Sequence, residues 1–154
     1  MNKVWYACYG SNMLFGRFYY YVKGGTYQLT GKYHDGCKDK TFPTDDMPII
    51  IPYEMYFGEK SKWWENGGIA FLDTTKPSAT LGRAYLITEG QFCDVHKQEG
   101  ALYDLVIELG TYEGCPIKTF TSSVRREYNP PSEKYLRVIT QGMRELAGRP
   151  AIIP

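Results

Sequence analysis

The sequence predicts an α+β fold: a small mixed, mostly antiparallel β-barrel flanked by a few helices. Three observations point there. Short strand-like runs fill the middle of the chain. Helical spacing recurs in only three places. No internal repeat or low-complexity tract divides the 154 residues, a length suited to one domain, 1–154, with its own core.

The elements follow in order. Val4 to Tyr9 is aromatic and aliphatic, as a buried strand is. Gly10 allows a tight turn, Ser11 and Asn12 are N-cap residue types, and Met13, Leu14, Arg17, Phe18 and Tyr21 follow at helical spacing. Gly24-Gly25 breaks that helix. Tyr27 to Leu29 is a short strand, and Gly31 to Asp46, rich in Gly, Lys and Asp, reads as a loop. Ile49-Ile50-Ile51, with Pro48 and Pro52 on either side, suits an edge strand, because proline cannot donate to a ladder on both sides. Tyr53 to Tyr56 continues extended. Trp63-Trp64 marks an aromatic corner, serving as core or lid packing or as a substrate wall.

Gly67-Gly68-Ile69-Ala70-Phe71-Leu72 is a buried strand whose glycines signal a bulge or a close backbone approach. Asp73 to Thr80 reads as a turn and Leu81 to Ile87 as a strand. Thr88-Glu89-Gly90-Gln91 is a capping box, opening a helix with Phe92, Val95, His96 and Glu99 on one side. Leu102 to Leu109 is extended, Thr111 to Pro116 is a turn, and Ile117 to Ser122 is the last strand. Ser132 caps a final helix with Tyr135 in its first turn. Leu136, Ile139, Met143 and Leu146 form its expected apolar face, and Gly148 and Pro150 stop it.

Composition narrows the function. A formal charge of +1 argues against partners recruited by bulk electrostatics, so neither nucleic acid nor a membrane is expected. The 14 tyrosines and 3 tryptophans could line a groove, but no basic track accompanies them. No apolar run is long enough to span a bilayer, and Tyr9-Gly10-Ser11-Asn12 interrupts any signal-peptide core, so the expected compartment is the cytoplasm. Cys8, Cys37, Cys93 and Cys115 lack paired close spacing and read as reduced thiols. The only histidines are His34 and His96. His96 and Glu99 share a helix face but have no visible third ligand, so no metal is expected.

Two stretches carry chemistry. Strand, tight turn and helix start at Tyr9 to Met13 would present unpaired backbone amides and the positive end of a helix dipole, a place for a carboxylate or a developing oxyanion. Glu99 falls on the inward stripe of its helix. Lost hydration there would raise its pKa and suit it to proton transfer near neutrality. The alternative is a helix-terminal Glu turned to water beside Gly100.

Tyr9-Gly10-Ser11-Asn12-Met13 resembles the YGSN-L/M signature of the γ-glutamylcyclotransferase-like (AIG2-like) family. Gly67-Gly68-Ile69-Ala70, Gln98-Glu99-Gly100 and Pro130-Pro131-Ser132-Glu133-Lys134-Tyr135 resemble further motifs of that family in the same order, spanning Val4 to about Met143. The resemblance implies a small mixed β-barrel with helices. It implies an enzyme, without cofactor, that closes a γ-glutamyl group into 5-oxoproline and releases an amino acid or amine. It makes Glu99 the catalytic acid and base, with Tyr9, Gly10, Ser11, Asn12, Met13, Tyr103 and Tyr135 binding substrate. The expected partner is a small γ-glutamyl compound, and a homodimer stays open. A hydrolase or acyl-transfer relative, or a non-catalytic γ-glutamyl-binding module, would use the same pocket. Two departures stand out: the Lys32 to Lys60 region is long, which leaves the leaving group open, and a second pocket tyrosine is replaced by Phe120 as the nearest aromatic.

Overall fold

The computed structural model describes residues 2–154. Its strands are β1 (Lys3–Cys8), β2 (Gly25–Tyr27), β3 (Lys32–His34), β4 (Asp45–Ser61), β5 (Gly67–Thr88), β6 (Leu105–Tyr112) and β7 (Cys115–Thr121), and its helices are α1 (Phe15–Lys23), α2 (Glu89–Glu99) and α3 (Glu133–Leu146). Short 3₁₀ turns occupy Ser11–Met13 and Lys62–Trp64.

The α+β class and the mostly antiparallel sheet agree with expectation; closure into a barrel does not. The main sheet has the order β4-β5-β1-β7-β6, with only β1 and β7 parallel, and β2 and β3 form a separate pair. Both sheet ends are open. The 22-residue β5 bends, so that Leu72 in its first part reaches the end of β7. A side chain alone spans that gap: the Thr121 hydroxyl accepts from Leu72 N at 2.9 Å and donates to Leu72 O at 3.3 Å. The sheet curls nearly onto itself without a closing ladder.

The proline-flanked run does lie in the edge strand, β4, where register shifts surround Pro52. Ile152 partly covers that edge: Ile50 N donates to Ile152 O, and Ile152 N donates to Pro48 O. The expected 73–80 turn is absent: the stretch is extended within β5 and pairs with β4 through Glu54–Asp73, Tyr53–Pro77 and Ile51–Thr80. β3 lies inside the expected 31–46 loop, since three residues are too few to show a period. β2 comes two residues before the expected Tyr27–Leu29, and β6 begins at Leu105 rather than Leu102.

Two corrections concern the helices. Neither Ser11 nor Asn12 caps α1, which begins at Phe15 without a local side-chain cap. The carboxylate of Glu145, from α3, takes the Phe15 amide at 3.0 Å instead. The buried face of α3 is Tyr135, Val138, Ile139, Gly142 and Leu146, while Leu136 and Met143 are exposed. The helix is rotated because Gly142 lies against the 3₁₀ turn: a Cβ there would stand 2.5 Å from the Met13 carbonyl carbon. The capping box at Thr88 and Gln91 and the Ser132 cap on Tyr135 N are as expected.

The core is aromatic. Phe18 stacks on Tyr85 at 4.3 Å, and Tyr6 stacks on Phe120 at 5.3 Å. The Gly67-Gly68 and Asn129–Ser132 motifs meet: Gly68 N donates to Pro130 O at 3.0 Å, and a Cβ on Gly68 would fall 2.0 Å from Asn129 O. That crossing delivers α3, and Tyr135 with it, to the turn after β1. Among the described residues, no helix is long and apolar enough to cross a membrane.

Candidate active site

The turn after β1 is fixed from below. Tyr85 donates its hydroxyl to Asn12 O at 2.8 Å, and Arg83 donates to Met13 O at 2.8 Å. Within the turn, Met13 N donates to Gly10 O and Leu14 N to Ser11 O, which leaves the amides of Ser11 and Asn12 without a backbone acceptor. Arg83 itself is held by Asp46 at 2.7 Å and Glu145 at 2.6 Å, so the same carboxylate that caps α1 anchors the residue beneath the turn.

Glu99 ends α2 and points at this turn. Asn12 Nδ2 donates to Glu99 Oε1 at 3.2 Å and to the Tyr6 hydroxyl at 3.2 Å. Glu99 is partly buried, not turned out to solvent. Burial pushes its carboxyl above the usual range, opposed by Arg17, Tyr21, Lys32 and Asn12. Asn12, 3% exposed, keeps Oδ1 without a partner, and so does Thr119 Oγ1. These groups face a cavity of about 40 Å³ lined by Gly10, Ser11, Asn12, Glu99 and Tyr135, among others. That is room for roughly three waters, or for the polar end of a small ligand. Two orphaned oxygens in such a space are acceptors waiting for a donor.

The tyrosines divide by what their hydroxyls already do. Tyr9 donates to Phe120 O at 2.8 Å, and Tyr103 donates to Ala70 O at 2.7 Å. Both are walls whose protons are in use. The Tyr135 hydroxyl instead accepts from Ala70 N at 3.0 Å, which leaves its proton free for the cavity. Phe120 lines the same space. Met13 does not: its side chain is 1% exposed and packs beneath α3. Of the eight residues expected at the site, seven line the inner cavity and Met13 supports it.

Ser11, Glu99, Tyr103 and Tyr135 also line a second, outer chamber of about 290 Å³, bounded by Arg17, Tyr21, Lys32, Lys62, Trp63 and Trp64. None of these six is among the expected site residues; the tryptophan pair and the long region starting at Lys32 carried the sequence signals, and Trp64 proves to be a wall packed edge-on to Tyr135 at 4.9 Å. Arg17 is a buried guanidinium, 2% exposed. One nitrogen faces His34 Nε2 at 2.7 Å, another donates to the Tyr21 hydroxyl at 3.4 Å, and Nε has no partner. Burial and the neighbouring Arg17 push His34 down to about 3, so its ring is neutral and its Nε2 is an acceptor. Tyr6, on β1, is a further lining residue that read only as core.

No metal or thiolate chemistry is built here. Among the described residues, no group of three or more His, Cys, Asp or Glu could hold a metal ion. His96 stacks on Phe120 at 4.8 Å and its Nε2 meets Tyr103 O. Cys8 reaches the inner cavity, but burial pushes its thiol far up and it donates to Arg83 O.

The chain has the fold of the γ-glutamylcyclotransferases. It superimposes on a gamma-glutamyl cyclotransferase with a TM-score of 0.67 at 21% identity, covering 96% of this chain and 82% of that one. An uncharacterised protein from Homo sapiens gives 0.68 at 22% identity with the same coverage. In sequence, 105 residues, 64% of this chain, are 40% identical to Histone deacetylase 5 of Arabidopsis thaliana, and the chain spans only 16% of that protein's length. No family model matches.

Proposed function

We propose that this protein is a γ-glutamylcyclotransferase-type enzyme, converting a small γ-glutamyl amino acid or amine into 5-oxoproline and a free amine. The observation that carries this reading is the Asn12–Glu99 contact: a carboxyl raised by burial sits across a small cavity from turn amides that have no backbone acceptor. The shared fold supports it.

The chemistry follows from those groups. The substrate's α-ammonium loses a proton to Glu99, and the freed amine attacks the γ-carbonyl. The amides of Ser11 and Asn12 and the Tyr135 hydroxyl stabilise the oxyanion or hold the α-carboxylate. The new ring C–N bond forms and the old C–N bond breaks. Two protons leave the α-ammonium in all, relayed one at a time by Glu99, and both end on the departing nitrogen, which leaves as an ammonium. The nucleophile belongs to the substrate, so intramolecular orientation supplies part of the acceleration, up to about 7–11 kcal/mol in favourable cases. The inward-facing acceptors Asn12 Oδ1 and Thr119 Oγ1 suit the α-ammonium before attack.

Incubation with a panel of γ-glutamyl amino acids and amines, read by mass spectrometry, tests this. Release of 5-oxoproline is the expected result. Free glutamate would identify a hydrolase, and ligand-dependent melting without turnover would identify a binding module.

A further inference from the structure

We propose that the outer chamber is a subsite for an anionic leaving group, with Lys32 and Lys62 as its specificity-determining residues. The amine released by the reaction carries a carboxylate, seated between the two ammonium groups and in front of the Arg17 guanidinium. What occupies the inner cavity rests on the cyclotransferase reading; the charge of the chamber does not.

The chamber holds more cations than carboxylates. Arg17, Lys32, Lys60 and Lys62 all line it. Among the described residues, none of them lies within ion-pair distance of a carboxylate. Two carboxylates also line the space: Glu59 faces Arg126 at 3.7 Å, and Glu99, bonded to Asn12 at 3.2 Å, is the one negative charge that acts on both Arg17 and Lys32. A guanidinium as buried as Arg17 is costly unless a negative charge meets it, and its Nε is left open. Its hydrogen-bond partners are the neutral His34 ring and the Tyr21 hydroxyl, and it lies over the Tyr21 and Tyr27 rings at 4.8 and 4.6 Å, contacts that ease its burial without supplying a negative charge.

The lysines are not free to spread apart. Both ammonium groups stand over the Trp63 ring, Lys62 at 4.9 Å and Lys32 at 6.0 Å from its centroid. Lys32 is half-buried, and its pKa is lowered chiefly by burial, with Glu99 opposing and Arg17 and Lys62 adding to the shift. An incoming carboxylate relieves that repulsion. A diamine leaving group would add a further cation to the same field, and a neutral amine would leave it unmatched.

The test compares γ-glutamyl-L-alanine with γ-glutamyl-L-alaninamide, whose leaving groups differ by one negative charge. The acid should be preferred in kcat/KM by roughly tenfold, less at high salt. Replacing both lysines, Lys32→Gln with Lys62→Gln, should bring the ratio near one through the KM of the acid, and Lys→Arg at both positions should keep it. Equal use of acid and amide by the wild type would overturn the subsite, as would an undiminished preference in the double Gln variant. Should neither compound be cyclised, calorimetric binding decides. Preferential binding of the acid, lost in the double Gln variant, keeps the subsite and removes the cyclotransferase reading. No preference in binding removes both.

Discussion

The inner cavity and the outer chamber share Ser11, Glu99, Tyr103 and Tyr135 but are built by different rules. Long strands and a clamped turn wall the inner cavity, and its hydroxyls are pinned to the backbone at Phe120 and Ala70. The outer chamber is walled in part by the three-residue β3, the end of β4 and a 3₁₀ turn, and its cations make no ion pair among the described residues. Bond-making needs groups held to fractions of an ångström, which the sheet provides. Selection of a leaving group needs only a field and a shape, which short elements can supply and vary.

Removing the proton carrier separates the two regions most sharply. Glu99→Gln keeps the Asn12 contact geometrically available, so the chain should fold and bind substrate. Its kcat should fall by two or more orders of magnitude, about 2.7 kcal/mol or more. Steady-state kinetics on the best γ-glutamyl substrate measures this. Near-normal kcat would mean that the inner cavity is a binding frame only, and the contrast with the outer chamber would vanish.

The clamp beneath the turn comes next. Arg83→Met removes the contacts to Asp46, Glu145 and Met13 O together. Asp46 and Glu145 keep some solvent, so the loss is smaller than for a fully buried pair, about 2–3 kcal/mol by denaturant midpoint. Turnover should fall with it while Lys partly restores both. If stability drops but kcat/KM does not, the turn holds its shape without the clamp.

What the sequence disclosed follows this same division. Six of the seven inner-cavity positions named from the sequence sit in dense local patterns: a glycine turn, a helix opened by a capping box, a proline-serine helix start; Tyr103 was named only through the family resemblance. Met13 belonged to the pattern but not to the cavity, since Gly142 draws α3 onto it, a contact 129 positions away in sequence. The Leu136 and Met143 face was misread for that reason: a helical period fixes a stripe only to within the residues that tertiary contact selects. Barrel closure was misread because Thr121 replaces a strand pairing by one hydroxyl. The outer chamber was legible only in outline, through the Trp63-Trp64 pair and the long Lys32 to Lys60 region. Arg17 looks like any helix-surface arginine until the β2–β3 pair, too short to carry a period, closes over it with His34.

That pair makes acid a probe of the outer region. His34 has its folded pKa depressed to about 3, below the ordinary 6.5, because burial strips water from the charged ring and protonation would place a second cation against Arg17. A depressed value means that the unfolded chain binds more protons below 6.5. Stability is therefore full above 6.5 and declines as pH falls toward 3, by up to about 1.4 kcal/mol per unit. His34→Gln retains an acceptor for Arg17 and should flatten this limb in melts between pH 6.5 and 5. An unchanged limb would place the acid sensitivity elsewhere.

The smallest effect runs in the opposite direction and belongs to the inner cavity. Glu99 has its folded pKa raised, chiefly by burial. Between its unfolded value and that raised value, the folded chain holds more protons, so stability falls as pH rises through the window. Above it, the folded state carries a poorly hydrated carboxylate. Glu99→Gln removes that charge while keeping an acceptor for Asn12, so the variant should melt higher at pH 7–8 than the wild type, by up to about 3 °C for a chain of this size. The difference should shrink toward pH 4, where the wild-type carboxyl is itself neutral. A variant that melts lower at pH 8 would mean that Asn12, Tyr21 and Arg17 stabilise the charged form more than burial penalises it. Proton uptake near neutrality would then need another source than desolvation of this carboxyl.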